Sequence, residues 1–123
     1  MNGRDEKHVA AAGAWGTVEY AVRSNGKRLA EEFIDGLPGS DQTKLAALFR
    51  RMADSGIIRN REKFRKVAGD IYEFKSHQIR IGCFLIRRTW FLTHGFIKKK
   101  DKWEKSELER ANAVRAEHLD VHS

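Results

Sequence analysis

Cysteine is almost absent from this chain: Cys83 is the only one in 123 residues, so no intrachain disulfide can form. Its setting in the run Ile-Gly-Cys-Phe-Leu-Ile predicts a buried thiol rather than a nucleophile, because reactive cysteines sit in exposed, electropositive places. Proline occurs once, at Pro38, where Leu37-Pro38-Gly39 stops a helix. No apolar run approaches the length that spans a membrane, and the charged N-terminus followed by a short Ala-rich patch is not a secretory leader. A cytoplasmic protein without membrane attachment is therefore expected. Also missing are metal-ligand spacing, a glycine-rich phosphate loop and a recognisable Ser/His/Asp set, so neither a metal nor a cofactor is expected.

What the chain has in excess is positive charge, and it is unevenly placed. Residues 1–56 hold eight Lys/Arg and eight Asp/Glu, whereas residues 57–123 hold sixteen against nine, so the whole net charge of +7 lies in the second part. That asymmetry points to an acidic partner, either nucleic acid or an acidic protein segment. At 41% hydrophobic residues a packed core is possible, and at this length one domain is expected.

Residues 1–15 read as a disordered extension and residues 16–123 as the domain. Thr17 to Val22 alternates and reads as a first strand. Leu29, Phe33 and Leu37 mark one amphipathic helix. Leu45, Leu48, Phe49 and Met52 mark a second, with Ser40 as its N-cap. Arg59 to Lys66 carries five cations against one anion and reads as a loop anchored by Phe64 and Val67. Three strands follow, Ile71–Lys75, Ile79–Ile86 and Trp90–Ile97, with links short enough for an antiparallel meander. Ser106-x-x-Glu109 fits a capping box for a last helix. The expected fold is α+β: a small antiparallel sheet of the N-terminal strand plus the meander, covered on one face by the helical hairpin, with a C-terminal helix.

The candidate binding residues converge on one end of that sheet. Lys75 and Arg80 flank the turn Ser76–Ile79. Arg80 shares a strand face with Gly82, whose missing side chain would let a ligand backbone approach. Lys98-Lys99-Lys100 follows directly on the last strand, which would hold its first members rigidly, and a fixed lysine can neutralise a phosphate. Lys66 adds a further cation. Alternation places His94 with Trp90, Leu92 and Phe96, where a hydrogen-bonded core residue is the simpler reading. His77 in the turn could act as an acid or base, or be a solvated turn residue.

Ile-Tyr-Glu-Phe-Lys, Ile-Arg-Ile-Gly-Cys-Phe, Leu-Thr-His-Gly-Phe-Ile-Lys-Lys and Ser-Glu-Leu-Glu-Arg-Ala together resemble the RelE/ParE toxin superfamily, nearest its HigB-like, phage Gp49-like branch, over residues 16–119. The resemblance implies a RelE-like fold and the toxin half of a type II toxin–antitoxin pair. Its partners would be a cognate antitoxin, expected to carry a helix-turn-helix, together with mRNA and the ribosome, and operator DNA only through the antitoxin. It implies metal-independent mRNA cleavage that inhibits translation, with the RNA 2′-hydroxyl as nucleophile. Lys75, Arg80 and Lys99 would then be catalytic, and Lys66, Lys98, Lys100 and His94 would bind RNA. ParE-like relatives share the fold and poison DNA gyrase instead, and a non-catalytic nucleic-acid-binding relative is a third possibility. Two positions depart from the pattern: Glu73, where RelE-like proteins can carry lysine, and Trp103, where many HigB-like proteins have proline. Trp103 would either cover the core or stack on a base.

Overall fold

The computed structural model describes residues 8–122. In chain order it contains β1 (Val9–Ala12), β2 (Thr17–Tyr20), α1 (Leu29–Asp35), α2 (Gly39–Ser55), β3 (Phe64–Ala68), β4 (Ile71–Ser76), β5 (Ile79–Ile86), β6 (Thr89–Ile97) and α3 (Lys105–Val121). The strands form one six-stranded sheet in the order β1-β2-β6-β5-β4-β3. The meander β4-β5-β6 is its centre, as its alternation predicts.

The sheet is larger than expected and not purely antiparallel. β2 runs parallel to β6, with Val18 opposite Trp90. The intervening helices and strands return the chain to the same edge in the same direction. β1 adds an antiparallel strand outside β2, within the stretch expected to be disordered. Its Val-Ala-Ala-Ala sequence has little intrinsic strand preference, so pairing decides its structure. Residues 1–7 of that expected extension lie outside the described residues. At the other edge, the basic loop becomes strand β3, with Phe64 opposite Phe74 and Arg65 opposite Glu73. Cations on an exposed edge strand oppose pairing with other chains, which is why this strand looks like a loop in sequence.

Both faces of the sheet are covered. Leu45, Leu48, Phe49 and Met52 of α2 pack with Phe64, Phe74, Ile81, Cys83, Trp90 and Leu92 on one face. On the opposite face, Ala111 and Val114 of α3 pack with Ile71 and Phe84. Cys83 is buried in the larger cluster, and burial raises its pKa well above that of a free thiol.

Both expected helix caps differ from the structure. α2 begins at Gly39 with Pro38 in the cap position, and α3 begins at Lys105 after Glu104; neither cap residue bonds through its side chain. Ser106 therefore lies inside α3, and the expected capping box does not start the helix.

A bulge moves His94 to the other face. Ile81 pairs with Gly95 and Cys83 with Leu92, so Thr93 and His94 together oppose Gly82. Trp90 and Leu92 stay with the helical hairpin, but His94 and Phe96 stack together on the α3 side. Simple alternation put all four on one face, and the extra residue breaks that count.

Two buried histidines give this fold an acid-sensitive step. His118 Nδ1 accepts the Val22 backbone N–H at 3.0 Å, which requires an unprotonated nitrogen. His94 lies 3.1 Å from Thr93 Oγ1 through Nδ1 and 3.1 Å from Glu107 through Nε2, a pattern that neutral imidazole satisfies by accepting from the hydroxyl and donating to the carboxylate. Burial is the main cause that lowers both pKa values to about 4, with Arg110 adding at His94 and His122 at His118. Folded pKa values below that of a free imidazole mean that the unfolded chain binds more protons between them. Stability is thus expected to be full above pH 6.5 and to fall as pH drops toward 4, by up to about 3 kcal/mol per histidine. Urea titrations at pH 7 and pH 4.5 test this. His118→Gln should remove part of the difference, and equal stabilities at both pH values would refute the assignment.

Candidate functional site

The turn between β4 and β5 organises the basic end of the sheet. Lys75 and Arg80 are direct cross-strand partners, and Ser76 pairs with Ile79, so the turn is the two residues His77 and Gln78. The Lys98 backbone N–H donates to the Gln78 carbonyl at 2.7 Å, which ties the end of β6 to the same turn. The expected convergence of Lys75, Arg80 and Lys98 is therefore present, and one backbone feature fixes it.

Arg80 is held more tightly than an ordinary phosphate-binding arginine. Its Nη1 donates to the carbonyls of His77 at 2.6 Å and Ile79 at 2.9 Å. Its Nε lies 3.4 Å from Glu73 Oε1, and the residue is only 5% exposed. Burial lowers its pKa; Glu73 opposes that shift and Arg65 adds to it. Lys75 is half-buried, with Nζ donating to the Arg61 carbonyl at 3.3 Å. Its pKa is also lowered, first by burial and then by Arg65 and Arg80, with a smaller contribution from Lys98. A lysine shifted downward exchanges a proton more readily near neutrality than a free one.

Glu73 is the hub that sequence reasoning missed. It is fully buried and accepts from Arg65 Nε at 2.5 Å and Trp103 Nε1 at 2.8 Å, besides pairing with Arg80. Glu73 and Trp103, the two positions set apart in the sequence, are thus bonded to each other. Arg65 belongs with them, and the alternation Phe64/Lys66 against Arg65/Val67 was the signal that could have shown it. Trp103 both covers apolar surface and closes the space over Gly82. A Cβ on Gly82 would lie 2.5 Å from Thr93 Oγ1 and 2.9 Å from the Trp103 ring. The expectation that Gly82 opens room for a ligand is therefore wrong: the bulge and Trp103 fill it.

Arg80, Phe96, Lys98, Lys99, Lys100 and Trp103 line a cleft of about 110 Å³, and the carboxylates Asp101, Glu104 and Glu107 also border it. Lys99 and Lys100 are exposed on its rim, and Lys98 Nζ lies 3.5 Å from Asp101 Oδ1. His94, 2% exposed, lies beneath and does not line the cleft, so it supports the site rather than facing a ligand there. Lys66 is exposed on β3 opposite Tyr72, on the sheet face away from the cleft. His77 is exposed in the turn, with Nε2 3.2 Å from Lys44 Nζ. Among the described residues, no group of His, Cys, Asp and Glu could hold a metal ion, and no helix is long and apolar enough to cross a membrane.

A fixed arginine and exposed lysines around one small cleft, with Lys75 paired to Arg80 just outside its lining, are suited to holding and polarising a phosphodiester. No curated protein matches the chain. A family model does match, Phage derived protein Gp49-like (DUF891), over residues 32–115, which includes the end of α1, all of α2, β3, the meander and the first part of α3. With that match over more than half its length, the chain belongs to the phage Gp49-like (DUF891) family, a HigB-like toxin family of the RelE/ParE superfamily.

Proposed function

We propose that this protein is a metal-independent mRNA endoribonuclease, acting on ribosome-bound mRNA as the toxin of a toxin–antitoxin pair. Membership of a toxin family implies a cognate antitoxin. The observation that carries the nuclease reading is the fixed pairing of Lys75 with Arg80, with Lys98 tied to the same turn. A gyrase poison has no need of that arrangement.

In the reaction, the RNA 2′-hydroxyl attacks the adjacent phosphorus in line. The bond to the 5′-oxygen breaks, leaving a 2′,3′-cyclic phosphate and a 5′-hydroxyl. One proton leaves the 2′-oxygen and one reaches the 5′-oxygen. The substrate supplies its own nucleophile, so the protein must align it and stabilise added negative charge. Arg80, whose orientation is set by Glu73 and the turn carbonyls, and Lys99 stabilise the phosphorane-like transition state. Lys75 positions the phosphate or takes the 2′-proton. Lys98 and Lys100 hold the RNA backbone. Lys66 binds the strand farther along, outside the cleft.

Induced expression followed by mapping of mRNA 5′ ends tests the reading, with an Arg80→Ala, Lys99→Ala double variant alongside. New 5′ ends that disappear in the double variant are expected. Growth arrest without new 5′ ends, together with DNA-damage signalling, would favour gyrase poisoning and overturn the proposal. Undiminished cleavage in the double variant would leave the activity standing and overturn the site.

A further inference from the structure

Trp103 stands between two concavities. One is the cleft above Arg80. The other is a groove of about 400 Å³ between β3 and the start of α3, lined by Arg65, Lys66, Val67, Lys102, Trp103 and Leu108. Val67, Leu108 and the indole give it an apolar floor, each partly buried against the smaller core cluster. Arg65 and Lys102 give it a cationic rim.

The indole is held in place. Its Nε1 donates to Glu73 at 2.8 Å, and Phe96 meets it nearly perpendicular with centroids 4.9 Å apart. Arg65 is fixed by the same carboxylate, and its Nη2 lies 3.5 Å from the Asp101 carbonyl. A pinned aromatic ring with cations on both sides, Lys98 to Lys100 on one and Arg65 with Lys102 on the other, suits a single strand of nucleic acid. The ring offers a stacking surface to a base, and the cations lie along the path of the backbone. An acidic peptide could use the same charges, but the natural way to bind one here is to extend the sheet at β3. The bulge between Lys66 and Ala68 and the cations along that strand oppose such pairing.

From this we infer that the groove binds one nucleobase of the RNA strand, stacked on Trp103, next to the phosphate that is cut. The inference rests on the proposed RNA cleavage and adds a base-reading contact to it.

The test uses the full chain and a mixed-sequence 2′-O-methyl RNA 12-mer, which lacks the attacking hydroxyl and stays intact. A single abasic residue is moved along the oligonucleotide, and binding is read by fluorescence anisotropy. One position is expected at which loss of the base costs about tenfold in affinity for the native protein and almost nothing for Trp103→Ala. Trp103→Phe should retain most of the effect, because it keeps a stacking face. Lys102→Ala should lower the slope of log affinity against log salt by about 0.7. An abasic profile that is the same with and without Trp103, or no binding of the oligonucleotide, would overturn the inference. So would affinity indifferent to Trp103 and Lys102, the result expected if a peptide occupies the groove. Cleavage of ribosome-bound mRNA alongside any of these would leave the nuclease reading intact. A Trp103-dependent base effect without mRNA cleavage would overturn the nuclease reading and leave the groove standing.

Discussion

Glu73→Ala is expected to destabilise the protein by about 3–5 kcal/mol, a large part of the roughly 5–15 kcal/mol that holds a small domain folded. The carboxylate is fully buried between Arg65, Arg80 and the Trp103 indole. Removing it leaves the buried Arg80 guanidinium without its counter-charge and the indole N–H without its acceptor. The cost is chiefly that of the stranded groups, because a buried ion pair contributes little beyond its own desolvation. Three comparisons follow from this. Glu73→Gln keeps an acceptor for Trp103 but no charge, and should cost less than alanine. Arg65→Ala should cost less again, because that side chain is one-third exposed and Glu73 keeps Arg80 and Trp103. Replacing Arg65, Glu73 and Arg80 together by Met, Leu and Met should cost less than Glu73→Ala alone, since no charge is then stranded. Urea denaturation of the four variants decides it, and a Glu73→Ala loss below about 1 kcal/mol would show that the network does not behave as a buried ionic cluster.

This network also marks where the sequence stops being readable. The meander was legible because each strand alternates locally, and Lys75 with Arg80 follows from a short link between two such strands. The links themselves were less obvious. His77 and Arg87 take positive φ values of 54° and 55°, where glycine or asparagine is usual, so neither hairpin carries the common turn residues. β3 escaped notice because an edge strand needs apolar residues on one face only, and cations fill the rest of it. The role of Glu73 could not be read locally at all: its partners lie on β3, β5 and the segment before α3, and only the sheet order brings them together. His94 illustrates the opposite error. Alternation places it with Trp90 and Leu92, but the strand carries a bulge that no residue type in Leu-Thr-His-Gly-Phe announces. A glycine in a strand often marks an opening, but Gly82 is closed by a tryptophan 21 positions along the chain.

For the proposed cleavage, Arg80→Lys is expected to lower the rate by about 10²- to 10³-fold while leaving a folded protein. The substitution preserves the positive charge and removes the fork. Arginine at this position spans the His77 and Ile79 carbonyls with Nη1 while Nε faces Glu73. An ammonium group is a single point charge and cannot meet both ends of that arrangement in the same orientation. Lysine would keep the Coulombic pairing with Glu73 but would not present a planar donor set to the cleft. Lys99→Ala makes a useful contrast: an exposed rim lysine should cost less, about tenfold, with no change in unfolding midpoint. Single-turnover cleavage of ribosome-bound mRNA, measured with urea denaturation of the same preparations, separates the two effects. If orientation is what Arg80 contributes, the loss should persist at saturating ribosome concentration, as a transition-state interaction requires. A loss that saturating ribosome restores would assign Arg80 to binding alone, and cleavage within about threefold of the native rate would remove it from the reaction.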